Sequence, residues 1–364
     1  MIFKLPVEII HNICTLVDDE DLRNLLLVKR ALTSIASNVY AKRLGIRKDA
    51  EKSTITVEGI SYRALGAWKR SRSFTNMQDG VQLYCAIDRK NRQLAEAQVL
   101  CLRTFLSTDL LTTPFSSIVI NGVCHLPPVD IADFIRLIDK VGCRNATIMS
   151  PYEFSKRTSG AAVSPCPLVK LSNLRRLELD TSHFVDEEWS TILRCLSGSK
   201  LVSFSVRGTP FISLFRFMGQ HSDIQSLESY CRWASLVQSS PSRVLQRIVR
   251  MPNLEKLNGP PSHLKVILKC LSHVPKALTL LVHSDPEQSY SEFVTQIMET
   301  VRLCDGMDSR LDISIHFREC HFAPHNYKFD VDAMRALGVN CPGAKSLYLF
   351  LPSLKETDVK VSLT

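Results

Sequence analysis

The sequence predicts an α/β protein in two parts, an N-terminal unit of three helices and a longer α/β solenoid. Two observations favour this class. Apolar residues recur at three- and four-residue steps over residues 5–44, which is the spacing of one buried helix face. Beyond residue 110, short apolar strands recur, each followed by a turn and an amphipathic stretch. Such recurrence is typical of repeat proteins, in which each unit buries its apolar residues against its neighbours.

The first predicted helix begins near Pro6, because proline is tolerated in the first turn of a helix. Acidic residues at 18–21 supply an N-cap and a negatively charged first turn for a second helix. A third helix follows over 32–44. A three-helix unit of this size covers only part of its own apolar surface. We therefore expect the rest of that surface to contact another protein or the rest of the chain.

The run LPVEIIHNICTLVDDEDLRNLLLVKRALTSIA resembles an F-box in its Leu-Pro pair, its glutamate, its paired isoleucines, its acidic turn and its leucine helix ending in valine. The F-box is the three-helix module by which substrate receptors dock onto the Skp adaptor of cullin–RING ubiquitin ligases. The chain departs from the family pattern at Lys29, where Cys or Ser is frequent, and at Leu32, where an aromatic residue is frequent. The resemblance implies adaptor contacts by Leu5, Pro6, Ile9, Ile13, Leu22, Leu25 and Val28.

The later part of the chain resembles an irregular leucine-rich repeat, most clearly in LSNLRRLEL and MPNLEKLNG. An ordinary α/β domain is the alternative. The central strand positions are spaced by 23 to 34 residues and comprise Leu177, Phe204, Leu227, Leu257, Leu280, Ile313 and Leu347. The predicted strands cover 116–122, 145–150, 174–180, 201–208, 224–231, 254–259, 277–282, 311–317 and 344–351.

In a solenoid, the strand positions that alternate with the core form one concave surface. Aromatic and arginine side chains among them suit protein recognition. We predict that the target protein contacts Arg176, Glu178, Asp180, Arg207, Glu228, Tyr230, His283, Tyr348 and Phe350.

Residues 45–110 are predicted to form a helical, basic connector between an adaptor-binding domain at 1–44 and a substrate-binding domain at 111–364. One helix is expected at 91–106. Nine Lys or Arg residues lie between Lys42 and Arg72, against three acidic residues. This segment is either a solvated face or a contact for nucleic acid. The alternative function is therefore a non-enzymatic scaffold that binds protein or nucleic acid through residues 42–72.

The motifs of common enzymes are missing from the sequence. It contains no G-x-G phosphate loop, no G-x-S-x-G elbow and no H-E-x-x-H. His316, Cys320, His321 and His325 lie close in sequence, but Pro324 disrupts any helix that would align them. We predict no catalytic residues, no metal and no cofactor.

The longest uncharged run, residues 110–129, contains three prolines and a histidine, which argues against a lipid-facing helix. We expect a soluble intracellular protein, cytoplasmic or nuclear, with no membrane partner. The predicted function is that of a substrate-recognition subunit of an SCF-type ubiquitin ligase. Its expected partners are the Skp adaptor, cullin through that adaptor, and a target protein that the sequence does not identify; nucleic acid is the less favoured partner.

Overall fold

The computed structural model of the chain describes residues 5–28, 30–44, 46–49, 54–65, 80–107, 115–150, 171–181, 184–230, 249–283, 290–303, 311–318, 344–350 and 359–361. The chain divides into two compact units, residues 1–199 and 200–364. Each unit is described by itself.

The first unit begins with the three expected helices, α1 (Val7–Leu16), α2 (Asp19–Val28) and α3 (Arg30–Arg43). The predicted N-cap of α2 is confirmed, because the Asp18 carboxylate accepts a hydrogen bond of 2.7 Å from the backbone N–H of Asp21. Both α1 and α2 pack on α3. The small core that they share comprises Ile10, Cys14, Leu22, Leu32, Ala36 and Val39.

A sheet of parallel strands follows in the same unit, with one antiparallel strand, β1, at its start. Each strand pairs with the next along the chain. The strands are β1 (Arg47–Asp49), β2 (Thr54–Glu58), β3 (Gln82–Ala86), β4 (Ser117–Asn121), β5 (Asn145–Met149) and β6 (Arg176–Asp180). The helices of this part are α4 (Arg92–Ser107), α5 (Pro128–Lys140) and α6 (Asp186–Cys195), and α5 packs beside both α4 and α6.

Alternate positions of β2–β6 line up in register and are buried. Ile55, Leu83, Ile118, Ala146 and Leu177 form one such row, and none of them is more than 3% exposed. The positions between them are mostly half-exposed. One face of the sheet therefore packs against the rest of the unit, and the other face is open.

The second unit repeats this pattern. Its described strands run in order and are parallel except for the last, which is antiparallel. They are β7 (Ser203–Arg207), β8 (Ser226–Tyr230), β9 (Lys256–Gly259), β10 (Ala277–His283), β11 (Leu311–Arg318), β12 (Ala344–Phe350) and β13 (Val359–Val361). The described helices are α7 (Phe211–Met218), α8 (Pro261–Cys270) and α9 (Tyr290–Arg302).

The prediction of an α/β protein is confirmed, and each of the nine predicted strands overlaps one of β4–β12. The central position assigned to β10 is wrong. Leu278, not Leu280, lies in the row that joins Leu257 to Ile313. The reason is that both leucines occupy alternate, fully buried positions of the same strand, so that only pairing with the neighbouring strands distinguishes them.

The prediction of a helical connector over 45–110 is wrong in part. Helix α4 confirms the helix expected at 91–106, but β1, β2 and β3 also lie within this range, and β3 pairs with β4. The sheet therefore begins well before residue 111. β1 and β2 lie within the basic segment at 42–72, whose charge dominated the interpretation of this range. Their length does not set β2 and β3 apart, because the predicted strands β4–β8 are also five residues long.

Candidate functional site

Helix α1 and the residue pair before it present apolar side chains to solvent. The exposed fractions are 38% for Leu5, 63% for Val7, 44% for Ile9 and 86% for Leu16. The fifth exposed large apolar residue among those described is Leu100 of α4, at 66%. Four of the five therefore lie within a twelve-residue stretch, whereas such residues are ordinarily scattered singly over a protein surface. We call Leu5, Val7, Ile9 and Leu16 together the α1 face, a name for the exposed apolar residues of α1 and of the chain just before it. Ile9 and Leu16 lie on one side of the helix and Val7 lies on the opposite side, because successive residues of an α-helix turn by about 100°.

The residues predicted to contact an adaptor differ in their exposure. Leu5, Pro6 and Ile9 are exposed, and Ile13 and Leu25 are half-buried. The backbone of Val28 ends α2, and its side chain lies outside the described residues.

The assignment of Leu22 to the adaptor surface is corrected. Its side chain is 0% exposed and belongs to the core that the three helices share. Helix α2 carries apolar residues at 22 and at 25–28, too many to define one face, and its packing on α3 turns Leu22 inward.

Two members of the α1 face were not among the predicted contacts. Val7 lies in the first turn of α1, and Leu16 is the last residue of that helix. Leu16 belonged to the apolar stripe of the sequence, but the helix buries only Ile10 and Cys14. The sequence therefore did contain a signal for these exposed residues, because α1 has more apolar residues than the two that it buries.

The open face of the first sheet carries three predicted target contacts on β6. Arg176 is exposed, and Glu178 is half-buried and accepts a hydrogen bond of 3.3 Å from the Thr147 hydroxyl. The assignment of Asp180 to the open surface is corrected, because this residue is only 6% exposed. Just after β5, the Ser150 N–H donates to the Asp180 carbonyl oxygen at 2.6 Å, which continues the pairing of β5 with β6. At 6% exposure, the Asp180 side chain is not available to a target.

The same open face extends to strands that the sequence did not assign to it. On β3 and β4, the Asn121 amide donates a hydrogen bond of 2.8 Å to the Tyr84 hydroxyl and accepts one of 3.0 Å from Arg89. A tyrosine and an arginine are thereby held in fixed positions, and these residue types often contribute most to protein–protein binding. Tyr84 and Arg89 were missed because β3 and the residues after it lay within the predicted connector, whereas Asn121 lies on the predicted strand 116–122 but was not assigned to the target surface.

In the second unit, three predicted target contacts lie together on β7 and β8. Arg207 pairs in register with Tyr230, and its guanidinium carbon lies 5.0 Å from the centre of the tyrosine ring. A guanidinium nitrogen of Arg207 also lies 4.0 Å from the Glu228 carboxylate. Arg207 and Glu228 are half-buried. The assignment of Tyr230 to the open surface is corrected, because this residue is only 9% exposed. The Gly208 N–H donates to its carbonyl oxygen at 2.7 Å.

The remaining predicted contacts lie on β10 and β12. The backbone of His283 ends β10, and Tyr348 and Phe350 lie on β12, where they pair in register with Ser314 and His316. The side chains of His283, Tyr348 and Phe350 lie outside the described residues. Their contribution to a binding surface stays a prediction.

The basic segment at 42–72 is described only in part. Lys42 and Arg63 are exposed. Arg43 is engaged within the chain, where it donates hydrogen bonds to the end of α1. Lys52, Lys69, Arg70 and Arg72 lie outside the described residues. Nucleic-acid binding through this segment stays an alternative prediction.

Four of the seven described thiols are poor nucleophiles. Burial raises the pKa of Cys14, Cys85 and Cys270, and raises that of Cys143 to about 11. A thiol with a raised pKa carries little thiolate at neutral pH. Within the described ranges, no three His, Cys, Asp or Glu side chains form a group suited to a metal ion. Cys320, His321 and His325 fall outside those ranges, as does the side chain of His316.

No helix in the described part of the chain has both the length and the apolar character needed to span a membrane. No protein-family model, curated protein or solved structure matches this chain.

Proposed function

We propose that the chain is a substrate-recognition subunit of an SCF-type cullin–RING E3 ubiquitin ligase, built as an F-box followed by an irregular leucine-rich-repeat-like solenoid. In this proposal the α1 face binds the Skp adaptor, and through it cullin, while the open sheet faces bind the protein to be ubiquitylated. The observation that carries the proposal is the exposure of Leu5, Val7, Ile9 and Leu16, which lie on or just before a single short helix.

Exposed apolar area on this scale favours a protein partner. Removing a mostly exposed Val or Leu side chain from water contributes on the order of 1–2 kcal/mol. Because the α1 face lies within twelve residues and outside the core of its own three helices, a partner that contacts the exposed sides of α1 gains this stabilisation from several residues at once. The F-box resemblance, which assigns adaptor contacts to Leu5 and Ile9 of this face, favours the Skp adaptor as that partner.

The open sheet faces suit the second half of the function. Arg176 and Glu178 in the first unit, and Arg207 and Glu228 in the second, present charged groups of both signs at partly exposed strand positions. Such a receptor performs no bond chemistry. It raises the local concentration of target lysines near the ubiquitin carrier, as any tethering of two reactants does.

The adaptor half is tested by measuring the affinity of the purified chain for a purified Skp adaptor by calorimetry. Val7→Asp and Leu16→Lys place charges on the α1 face, and each charge complements the helix dipole at its own end of α1. Both variants should therefore keep their helical circular dichroism and lose adaptor affinity at least 100-fold. Leu100→Lys is the matched control, since it charges the one exposed large apolar residue that the described chain has outside the α1 face, and it should bind as the wild type does.

Two results would overturn the adaptor assignment. One is a wild-type chain that does not bind the adaptor. The other is unchanged affinity of the folded Val7→Asp and Leu16→Lys variants.

The target half is tested with the adaptor-bound chain isolated from cells. Arg176→Glu reverses a charge on the open face of β6, and Arg194→Glu reverses an exposed charge on α6. Proteins that co-purify with the wild type and with Arg194→Glu should be lost from Arg176→Glu. Identical sets from all three chains would remove β6 from the target surface.

A further inference from the structure

Arg43 extends from the last turn of α3 to the last turn of α1. Its guanidinium donates hydrogen bonds of 2.6 Å to the carbonyl oxygens of Val17 and Thr15, and one of 3.4 Å to that of Cys14. The same group lies 3.2 Å from the carboxylate of Asp19, in the first turn of α2. One side chain therefore connects all three helices.

The end of α1 requires such a donor. The last carbonyl groups of a helix have no partner within the helix, and the helix dipole places partial negative charge there. Helix α1 has no basic residue in its own last turn. Arg43 supplies both the hydrogen-bond donors and the positive charge from a residue that is 26 positions further along the chain.

Few other contacts hold α1 in place. Only Ile10 and Cys14 of this helix are buried, whereas Val7, Ile9 and Leu16 face solvent. A helix with so little buried apolar surface opens locally at a low cost in free energy. Its orientation therefore depends strongly on the hydrogen bonds at its C-terminal end.

We propose that Arg43 is a positioning residue for adaptor binding, which fixes the end of α1 so that the α1 face is preorganised for the adaptor. Arg43 itself is not part of that face. The inference rests on the proposed adaptor function, but the hold of Arg43 on α1 is measurable without any adaptor. Arginine is required in place of lysine because the planar guanidinium directs several N–H groups at separate oxygens, whereas an ammonium group acts as a compact point charge.

The test combines hydrogen exchange of the free chain with calorimetric titration of the Skp adaptor. Arg43→Met removes the donors and keeps an unbranched side chain. Arg43→Lys keeps the charge. Lys42→Met removes the exposed neighbouring charge and is the matched control.

Amide exchange is followed in peptides that cover residues 10–18, with peptides from β4 and β5 as an internal reference for global folding. Arg43→Met should accelerate exchange in residues 10–18 at least 10-fold, leave the reference peptides unchanged, and weaken adaptor binding about 10- to 30-fold. Arg43→Lys should recover part of both losses, and Lys42→Met should match the wild type in both.

The outcomes separate the two proposals. If residues 10–18 of Arg43→Met exchange their amide hydrogens at the wild-type rate, then Arg43 does not stabilise the end of α1. Faster exchange with wild-type adaptor affinity overturns the positioning role, because α1 would then loosen without consequence for docking. A wild-type chain that fails to bind the adaptor overturns the proposed function and the positioning role together, and the exchange data still decide whether Arg43 holds α1.

Discussion

The carboxylate of Asp139 lies 2.7 Å from the backbone nitrogen of Leu174, in the segment that leads into β6. The same carboxylate accepts hydrogen bonds from the backbone N–H groups of Asn173 at 2.7 Å and Ser172 at 3.1 Å. Asp139 stands at the end of α5 and is 6% exposed. A buried side chain at the end of α5 thus binds three consecutive N–H groups just before β6, and these bonds join the helix to the segment that leads into that strand.

Removing that carboxylate should destabilise the first unit. Asp139→Ala leaves three N–H groups without their acceptor, of which the one at Leu174 is buried. Hydrogen bonds to charged groups each contribute roughly 1.5–3 kcal/mol. We expect the free energy of unfolding to fall by about 3 kcal/mol for Asp139→Ala and by about 1–2 kcal/mol for Asp139→Asn, which keeps one oxygen. Urea denaturation measures both values.

The exposed Asp223 provides the control for this series. Asp223→Asn should change the free energy of unfolding by less than about 0.5 kcal/mol. An Asp139→Ala chain as stable as this control would mean that the bonds of Asp139 to the 172–174 segment contribute no net stability.

Burial separates the core of the N-terminal helices from their α1 face. Leu22→Ala empties a fully buried position and should lower the free energy of unfolding by about 3 kcal/mol. Leu16→Ala truncates a side chain that is 86% exposed and should change it by less than about 0.5 kcal/mol. Thermal unfolding followed by circular dichroism compares the two; equal losses would place Leu16 in a core and remove it from the α1 face.

Local patterns predicted the elements of this fold better than they predicted its pairings. The strands β4–β12 carry alternating apolar residues that a single segment displays, and all nine were found. The central position of β10 was misplaced by two residues, because Leu278 and Leu280 satisfy the same alternation and only their neighbours on β9 and β11 separate them.

The site residues also show that local patterns predict strand positions better than contacts between distant parts of the chain. The alternation that buries the core also placed Arg176, Glu178, Arg207 and Glu228 on the less buried positions of their strands. It did not indicate that Asp180 and Tyr230 are buried, although both occupy the same alternate positions as those residues on their strands. The bonds of Asp139 are formed with residues more than 30 positions away, and no local pattern reports such a contact.

The free energy of unfolding should decrease as the pH falls, because the buried His263 becomes protonated more readily in the unfolded chain than in the folded one. This residue lies in the first turn of α8, is 6% exposed, and hydrogen-bonds to the backbone of Ser229. Burial lowers its pKa from 6.5 to about 4. Because the unfolded chain binds this proton more readily, the stabilising effect is complete above pH 6.5 and is lost as the pH falls towards 4. At pH 5 the loss amounts to about 2 kcal/mol.

The measurement is a comparison of urea denaturation at pH 7.5 and pH 5.0. Between these pH values the wild type should lose about 2 kcal/mol more of its free energy of unfolding than His263→Gln, which keeps a donor and has no charge to gain. His11→Gln, at an exposed histidine of α1, is the control and should show the wild-type loss. Parallel losses in the wild type and His263→Gln would show that protonation of His263 is not linked to unfolding.

Close packing between β8 and β9 requires glycine at position 259. A Cβ atom at Gly259 would lie 2.6 Å from the Ser229 carbonyl oxygen and 3.1 Å from a methyl carbon of Leu264. The first contact is with backbone, which cannot rotate away, so Gly259→Ala must shift β8 or α8 and should lower the free energy of unfolding by about 2 kcal/mol. Gly219→Ala is the matched control, since its Cβ would meet nothing closer than 3.5 Å and its φ of −64° suits any residue. Gly219→Ala should raise the free energy of unfolding by about 0.5 kcal/mol, because alanine makes the unfolded chain less flexible. If Gly259→Ala raised it by the same amount, the close approach of β9 to Ser229 would be disproved.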